Sequence, residues 1–315
     1  MSIYYQHGHI RCGTLVVNDI DLSIALYCIE LNHEVVEQGN ISTSLAHSWG
    51  APALANTPYY LLQPQGISAA NKHAKSYLRL IQSPTHQQPV AHATTYGWCA
   101  FEINVIDAFD LYERLKNGGF DVVGAPKKMD GISNTIPMQV VGPDQEVLYL
   151  NQVLCSDETT DLPIAEYDVD SIFIVVLGCQ DRESYVEKCV QQLNFNKGPS
   201  FEMRYSLINR AFKLDSETKH TLSLLQVGKH PVLEVDEYPV QATARPKPED
   251  GLSLGNAIVS IAVEDLDKLD LQHAIYSGAL GSVDSEASLL YQGARTAVIQ
   301  GDADELIELI EYPKS

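Results

Sequence analysis

The stretch GPDQEVLYLNQV, Gly142 to Val153, reads as a turn feeding a buried strand. Gly-Pro-Asp supplies the turn, and Val147, Leu148 and Leu150 supply strand-forming bulk. Near the other end the chain repeats itself in GDADELIELIEYP, Gly301 to Pro313, which sets Glu308 where Tyr149 stands. Two further segments read the same way. SYLRLIQSP places Arg79 at that position, and HPVLEVDEYP places Glu234 there. Four closing strands thus carry Arg, Tyr, Glu and Glu in one slot.

Working outward, each closing strand ends a longer unit. Four segments open with an alternating apolar strand: RCGTLVVND, WCAFEINVID, SIFIVVLGCQ and AIVSIAVED. A polar residue and an amphipathic helix follow, carried by IDLSIALYCIELN, AFDLYERLKNG, DRESYVEKCVQQL and LDKLDLQH. Asp19, Asp107 and Asp265 stand at the strand-to-helix turn, where a carboxylate suits a helix N-terminus. Further strands come after each helix. In the fourth unit these are ASLLYQG, RTAVIQG and ELIELIEYP. The pattern predicts an α+β protein of four tandem βαβββ modules, paired into two curved mixed-sheet domains. Residues 1–153 form the N-terminal pair, 154–169 an acidic linker, and 170–315 the C-terminal pair.

Bulk composition narrows the partners. The chain has 315 residues, 21 Lys plus Arg against 41 Asp plus Glu, and a formal net charge of −20. Such a surface repels phosphate backbones and anionic membranes, so neither nucleic acid nor membrane is expected as a partner. No apolar run is long enough for a spanning helix, and the six cysteines form no CxxC pair. A cytoplasmic protein with reduced thiols is expected, with a homodimer open.

Four βαβββ units in tandem resemble the vicinal oxygen chelate superfamily, the glyoxalase and extradiol-dioxygenase proteins. GPDQEVLYL and GDADELIEL look like that family's closing strand, and the V-x-D ending of the opening strands is similar to its other signature. The resemblance implies clefts between paired units, each able to hold a divalent metal through the opening strand, often by His, and the closing strand, usually by Glu. Carried onto this chain, the opening position lies seven residues before the turn Asp, on Cys12, Ala100 and Ile258, with Phe173 or Ile174 in the third unit. With Arg79 and Tyr149 at closing positions, the usual metal site is not expected. A fallback set of Glu308, Glu234 and His220 would return iron, manganese or zinc.

Strand alternation predicts what replaces the metal. Phe101, Ile103 and Val105 should face the helix, leaving Ala100, Glu102 and Asn104 in the cleft. A first cleft lined by Cys12, Thr14, Tyr77, Arg79, Ala100, Glu102, Tyr149 and Asn151 is expected. It holds either an internal Arg79–Glu102 ion pair or a small organic anion on Arg79, with Tyr149 or Cys12 as the catalytic group. Glu102, Tyr77, Asn151 and Trp49 complete the binding set. Trp49 belongs to AHSWGAPALANTPYY, a wall or aromatic minicore over that cleft. A second cleft holds Glu234, Asp236 and Glu308, as an acid–base couple or as partners of Arg204, Arg210 or Arg295. The expected function is an enzyme acting on a small oxygenated organic acid, aromatic or 2-oxo in type, without the usual metal. A non-catalytic binding protein of the same fold and a metal-dependent dioxygenase, lyase or isomerase are the alternatives.

Overall fold

A computed structural model describes residues 6–68, 75–128, 134–272, 274–279 and 288–313. The four units are present. The first comprises β1 (Ile10–Val17), α1 (Ile20–Ile29), β2 (His33–Asn40), α2 (Thr43–Ser48), β3 (Pro58–Pro64) and β4 (Tyr77–Gln82). The second comprises β5 (Gly97–Val105), α3 (Ala108–Leu115), β6 (Asp121–Gly124), β7 (Thr135–Val141) and β8 (Val147–Val153). The third comprises β9 (Val169–Cys179), α4 (Arg182–Leu193), β10 (Asn196–Arg204), α5 (Ser206–Ala211), β11 (Lys219–Val227) and β12 (His230–Glu237). In the fourth are β13 (Gly255–Val263), β14 (Ala274–Ala279), β15 (Arg295–Gln300) and β16 (Leu306–Glu311).

The turn aspartates do what their chemistry suggests. Asp19, Asp107 and Asp181 each accept a backbone N–H at the start of α1, α3 and α4. Asp265 makes the same contact, but only a single 3₁₀ turn, Leu266–Lys268, follows it. The helix expected over LDKLDLQH is therefore shortened to that one turn before β14 begins at Ala274. The strand expected over ASLLYQG is also absent. From Ser288 on it is a turn with left-handed Gln292 and Gly293, and Ala287 lies outside the described residues.

Each unit orders its strands with the opening strand beside the closing one, and the four units make two eight-stranded sheets. The pairing is not between consecutive units. One sheet runs β14-β15-β16-β13-β1-β4-β3-β2, joining the first unit to the fourth, and is called the outer sheet below. The inner sheet runs β10-β11-β12-β9-β5-β8-β7-β6 and joins the second unit to the third. The expected division into an N-terminal pair, 1–153, and a C-terminal pair, 170–315, is corrected accordingly. All four opening strands offer similar apolar edges, so the local pattern does not say which two meet. In space β1 meets β13 and β5 meets β9, both antiparallel.

The helix-side faces of the two sheets share one core. Leu15, Val17, Leu78 and Leu80 of the outer sheet join Phe101, Ile103, Leu148 and Leu150 of the inner sheet in it. A Cβ at Gly13 would come 2.6 Å from the Phe101 ring, so only glycine permits the sheets this approach. The opposite faces bear separate clusters, one around Cys12, Trp49, Tyr77 and Tyr291 and the other around Ala100, Tyr149, Val176 and Tyr205. Those two faces are the clefts. Among the described residues no helix is long and apolar enough to cross a membrane.

Candidate functional site

Parallel pairing of each opening strand with its closing strand locates the four slots by register. Arg79 lies beside Thr14, Tyr149 beside Glu102, Glu234 beside Val176 and Glu308 beside Ser260. The registered opening positions are thus Thr14, Glu102, Val176 and Ser260. Those expected, Cys12, Ala100, Ile258 and Phe173 or Ile174, lie off them. The face assignment survives in the first, second and fourth units, because a two-residue displacement preserves it.

The unit pairing regroups the predicted residues. Cys12, Thr14, Tyr77, Arg79, Trp49 and Glu308 belong to the outer cleft, whereas Ala100, Glu102, Tyr149, Asn151, Glu234 and Asp236 belong to the inner one. The expected Arg79–Glu102 pair does not form. Arg79 instead stands 3.6 Å from Glu308, with both side chains buried. Its Nε donates to Thr14 Oγ1 at 3.0 Å and its Nη1 to the Tyr291 hydroxyl at 2.7 Å. Glu308 accepts from Trp49 Nε1 at 2.9 Å, from Tyr291 at 2.9 Å and from Ser260 at 2.6 Å. The Trp49 ring lies 4.5 Å from the guanidinium. AHSWGAPALANTPYY is therefore both wall and minicore: α2 and the turn Pro52–Leu54 seat Leu45, Trp49 and Leu54 on the sheet.

In the outer cleft the slots hold Thr14, Arg79, Ser260 and Glu308. A guanidinium in a ligand's place repels a divalent ion, so this set does not fit one. Cys12 is fully buried, and burial pushes its thiol up to about 11, which leaves no thiolate for nucleophilic work. Tyr77 is likewise buried, beneath the Arg11 guanidinium.

The inner cleft is open and larger. A cavity of about 830 Å³ is lined by Glu102, Tyr149, Asn151, Tyr205 and Glu234 with apolar walls that include Phe173 and Leu222. The pocket beside Arg79 measures about 290 Å³. The Tyr205 hydroxyl lies 3.0 Å from Glu234 Oε1 and 2.9 Å from the Tyr149 hydroxyl. Asn151 Nδ2 donates to Glu102 Oε2. Asp236 is buried behind Glu234, and neither of its oxygens accepts an N–H or hydroxyl bond.

Three carboxyls thus stand together, Glu102 and Asp236 buried and Glu234 half-buried at the cavity. Burial raises Glu102 well above the usual carboxylate range, and the charge of Glu234 adds to it. Burial also raises Glu234, to about 7, against the lowering effect of the Tyr205 hydrogen bond. Asp236 is raised by burial and then by Glu234 and Glu102. The arginines offered as neutralising partners are elsewhere. Arg204 pairs with Glu217, Arg295 with Asp267 and Glu311, and Arg210 donates to the Val123 carbonyl.

Nor does the fallback metal set assemble. Glu308 is in the outer cleft, and His220 Nε2 lies 2.6 Å from Asn209 Oδ1. In the inner cleft the slots hold Glu102, Tyr149, Val176 and Glu234. Among the described residues no group of three His, Cys, Asp or Glu is arranged to hold an ion. Sequence reasoning missed Tyr205 and Tyr291 as cleft residues. Both come from segments read as strands that fold as a strand-to-helix corner and a turn, where side-chain direction no longer alternates.

Comparison with known proteins bears on the fold. No protein-family profile matches the chain, and no curated protein does. Among solved structures, glyoxalase I from Zea mays superposes with a TM-score of 0.60 at 14% identity, covering 96% of this chain and 92% of that one. A point mutant of the same enzyme gives 0.62 at 14% identity, with the same coverage. A candidate dioxygenase from Bacillus subtilis gives 0.57 at 10% identity, covering 98% of this chain and 87% of that one. At these identities the likeness is one of architecture.

Proposed function

We propose that this chain, which has the paired βαβββ fold of the vicinal oxygen chelate superfamily, is an acid–base enzyme acting in its inner cleft. The substrate is a small oxygenated organic molecule, and the step is removal of a proton from carbon next to a carbonyl. One observation carries this reading: Glu234, raised to about 7, shares a cavity with Glu102 and lies within hydrogen-bond distance of Tyr205. A carboxylate poised near neutral pH is a competent general base. The linked phenols of Tyr149 and Tyr205 carry one proton each, and with one of the two spent on Glu234 the other supplies a donor for the oxygen on which charge develops.

An acid as substrate rested on Arg79 facing a free cleft. Arg79 is ion-paired with Glu308 at 3.6 Å beneath the Trp49 ring, so the charge it would offer an anion is already shared. The inner cleft presents carboxyls where an anion would have to sit. Glyoxalase I and the candidate dioxygenase share the architecture, and the reaction proposed here draws on this chain's own groups.

The test is deuterium incorporation. Small carbonyl compounds (aryl ketones, aminoketones and 2-oxo compounds) are incubated with the protein in D₂O and C–H exchange is followed by NMR. Exchange with at least one of them is expected, falling a hundredfold or more in Glu234→Gln. Exchange that survives Glu234→Gln unchanged, or none with any compound, overturns the proposal.

A further inference from the structure

Among the described residues, the carboxyls turned into the inner cavity have no buried counter-charge. Glu102 and Glu234 present carboxyl oxygens to it. Asn151 spends its amide N–H on Glu102, while its Oδ1 is buried with no donor. Asn151 is only 7% exposed and lines the cavity, so its Oδ1 is an unfilled acceptor in the cavity wall. Asp236 adds a third carboxyl behind them. Of the cavity-lining residues the cations are Lys127, Arg204 and Arg210, and all three are exposed at the rim. Arg204 is held by Glu217 and Arg210 by the Val123 carbonyl. No cation is buried in the wall among the described residues.

We infer that the ligand of this cleft is an organic cation of the amine class. Its N–H groups donate to Glu102, Glu234 and Asn151 Oδ1, and its apolar body lies against Phe173 and Leu222. The inference rests on the inner cleft being the site, and it names the charge of what enters.

The physical reason is compensation. Buried carboxyls without a counter-charge retain protons, which leaves the acceptors neutral but poorly matched. An ammonium group both restores the charge and fills the unpaired amide oxygen with a charge-assisted bond. A neutral alcohol can fill the acceptor but leaves the carboxyls protonated, and a carboxylate brings a further negative charge beside whichever of them ionises. Groups facing Glu234 are Tyr205, Asp236, Glu102 and Tyr149. Binding of the cation ionises carboxyls in this set, so protons are released and affinity rises as pH increases through neutrality.

Benzylamine, benzyl alcohol and benzoate share one ring and differ in head group. Each is titrated against the full chain by saturation-transfer NMR, and benzylamine also by calorimetry in two buffers of different ionisation enthalpy. Benzylamine should bind at least tenfold more tightly than the alcohol, benzoate should show no binding, and protons should be released. Glu102→Gln, nearly isosteric, should weaken benzylamine tenfold or more, with its fold checked by a thermal scan. Leu222→Trp, which puts an indole where the ligand's apolar body would lie, should abolish binding. Alcohol bound as tightly as amine, benzoate bound at all, binding without proton release, or no binding by any of the three overturns the inference. If the alcohol binds equally and Leu222→Trp removes both, the cleft stands and only the cation falls. Amine binding indifferent to Leu222→Trp removes the cleft itself.

Discussion

Arg79 and Glu308, one from the closing strand of the first unit and one from that of the fourth, form a buried ion pair at 3.6 Å across the outer sheet. Each occupies a slot where the superfamily resemblance implies a metal ligand. The pair is hydrogen-bonded to Thr14, Ser260, Trp49 and Tyr291. A cleft face is thereby turned into an interior.

Arg79→Met should therefore destabilise the protein by about 3–5 kcal/mol, because it leaves Glu308 buried without its counter-charge. The double variant Arg79→Met with Glu308→Leu should recover most of that loss, since an apolar pair of similar volume can replace a buried ion pair. Urea unfolding of the double-mutant cycle measures this. Additive losses would show that the two residues are not coupled.

The exchange of partners between units predicts how the chain behaves when cut. Between Leu154 and Asp168 there is neither strand nor helix, so a protease should nick there first. The fragments should stay together, because each sheet takes half its strands from either side of the cut, through β1 on β13 and β5 on β9. Size-exclusion chromatography of the nicked protein should show one species of unchanged size. Separation into two folded halves would contradict the strand order.

A second relationship between units is titratable. Tyr27 on α1 reaches Glu146 in the turn of the second unit, and Tyr185 on α4 reaches Glu305 in the turn of the fourth. Burial raises Glu146 to about 8 and Glu305 to about 7. The folded state then binds these protons more tightly than the unfolded chain, so their stabilisation is full at low pH and is lost as pH rises from about 4.5 to about 8. Buried His33, lowered to about 4, acts with the opposite sign but only below about 6.5. Between pH 6.5 and 8 the wild type should lose stability relative to Glu146→Gln by up to about 2 kcal/mol. Parallel pH profiles of the two would refute the assignment.

Cys155 is the exposed one of the six thiols, Cys28 is half-buried and the other four are buried. With Ellman's reagent the native protein should show one fast thiol, lost in Cys155→Ser. Cys12 should react only on unfolding. A second fast thiol, retained in Cys155→Ser and lost in Cys12→Ser, would restore Cys12 as a reactive group.

Much of this protein is written locally. The four units, their capping aspartates and the inward face of each strand follow from alternation and turn chemistry, which act over a few residues. The turn repeat is legible for the same reason. A Cβ on Gly142 would lie 1.9 Å from Glu146 Oε1, and one on Gly301 1.6 Å from Glu305 Oε1, so a side chain at either position would displace the glutamate tip. Arg79, Tyr149, Glu234 and Glu308 were identified as cleft residues on that basis, and the register agrees.

Which of them share a cleft is a different kind of question. Arg79 could meet Glu102 only if the first unit paired with the second, and nothing within a strand's own sequence selects its neighbour among four similar edges. That choice is made by long-range contacts such as Gly13 against Phe101 and Tyr27 against Glu146, which become favourable only when distant segments are already together. The same contacts place Trp49 and Tyr291 over Arg79 and leave the cavity beside Glu234 open. Local alternation determined which side chains face a cleft, and tertiary packing alone decided which cleft Arg79 and Glu308 fill and which keeps the larger cavity.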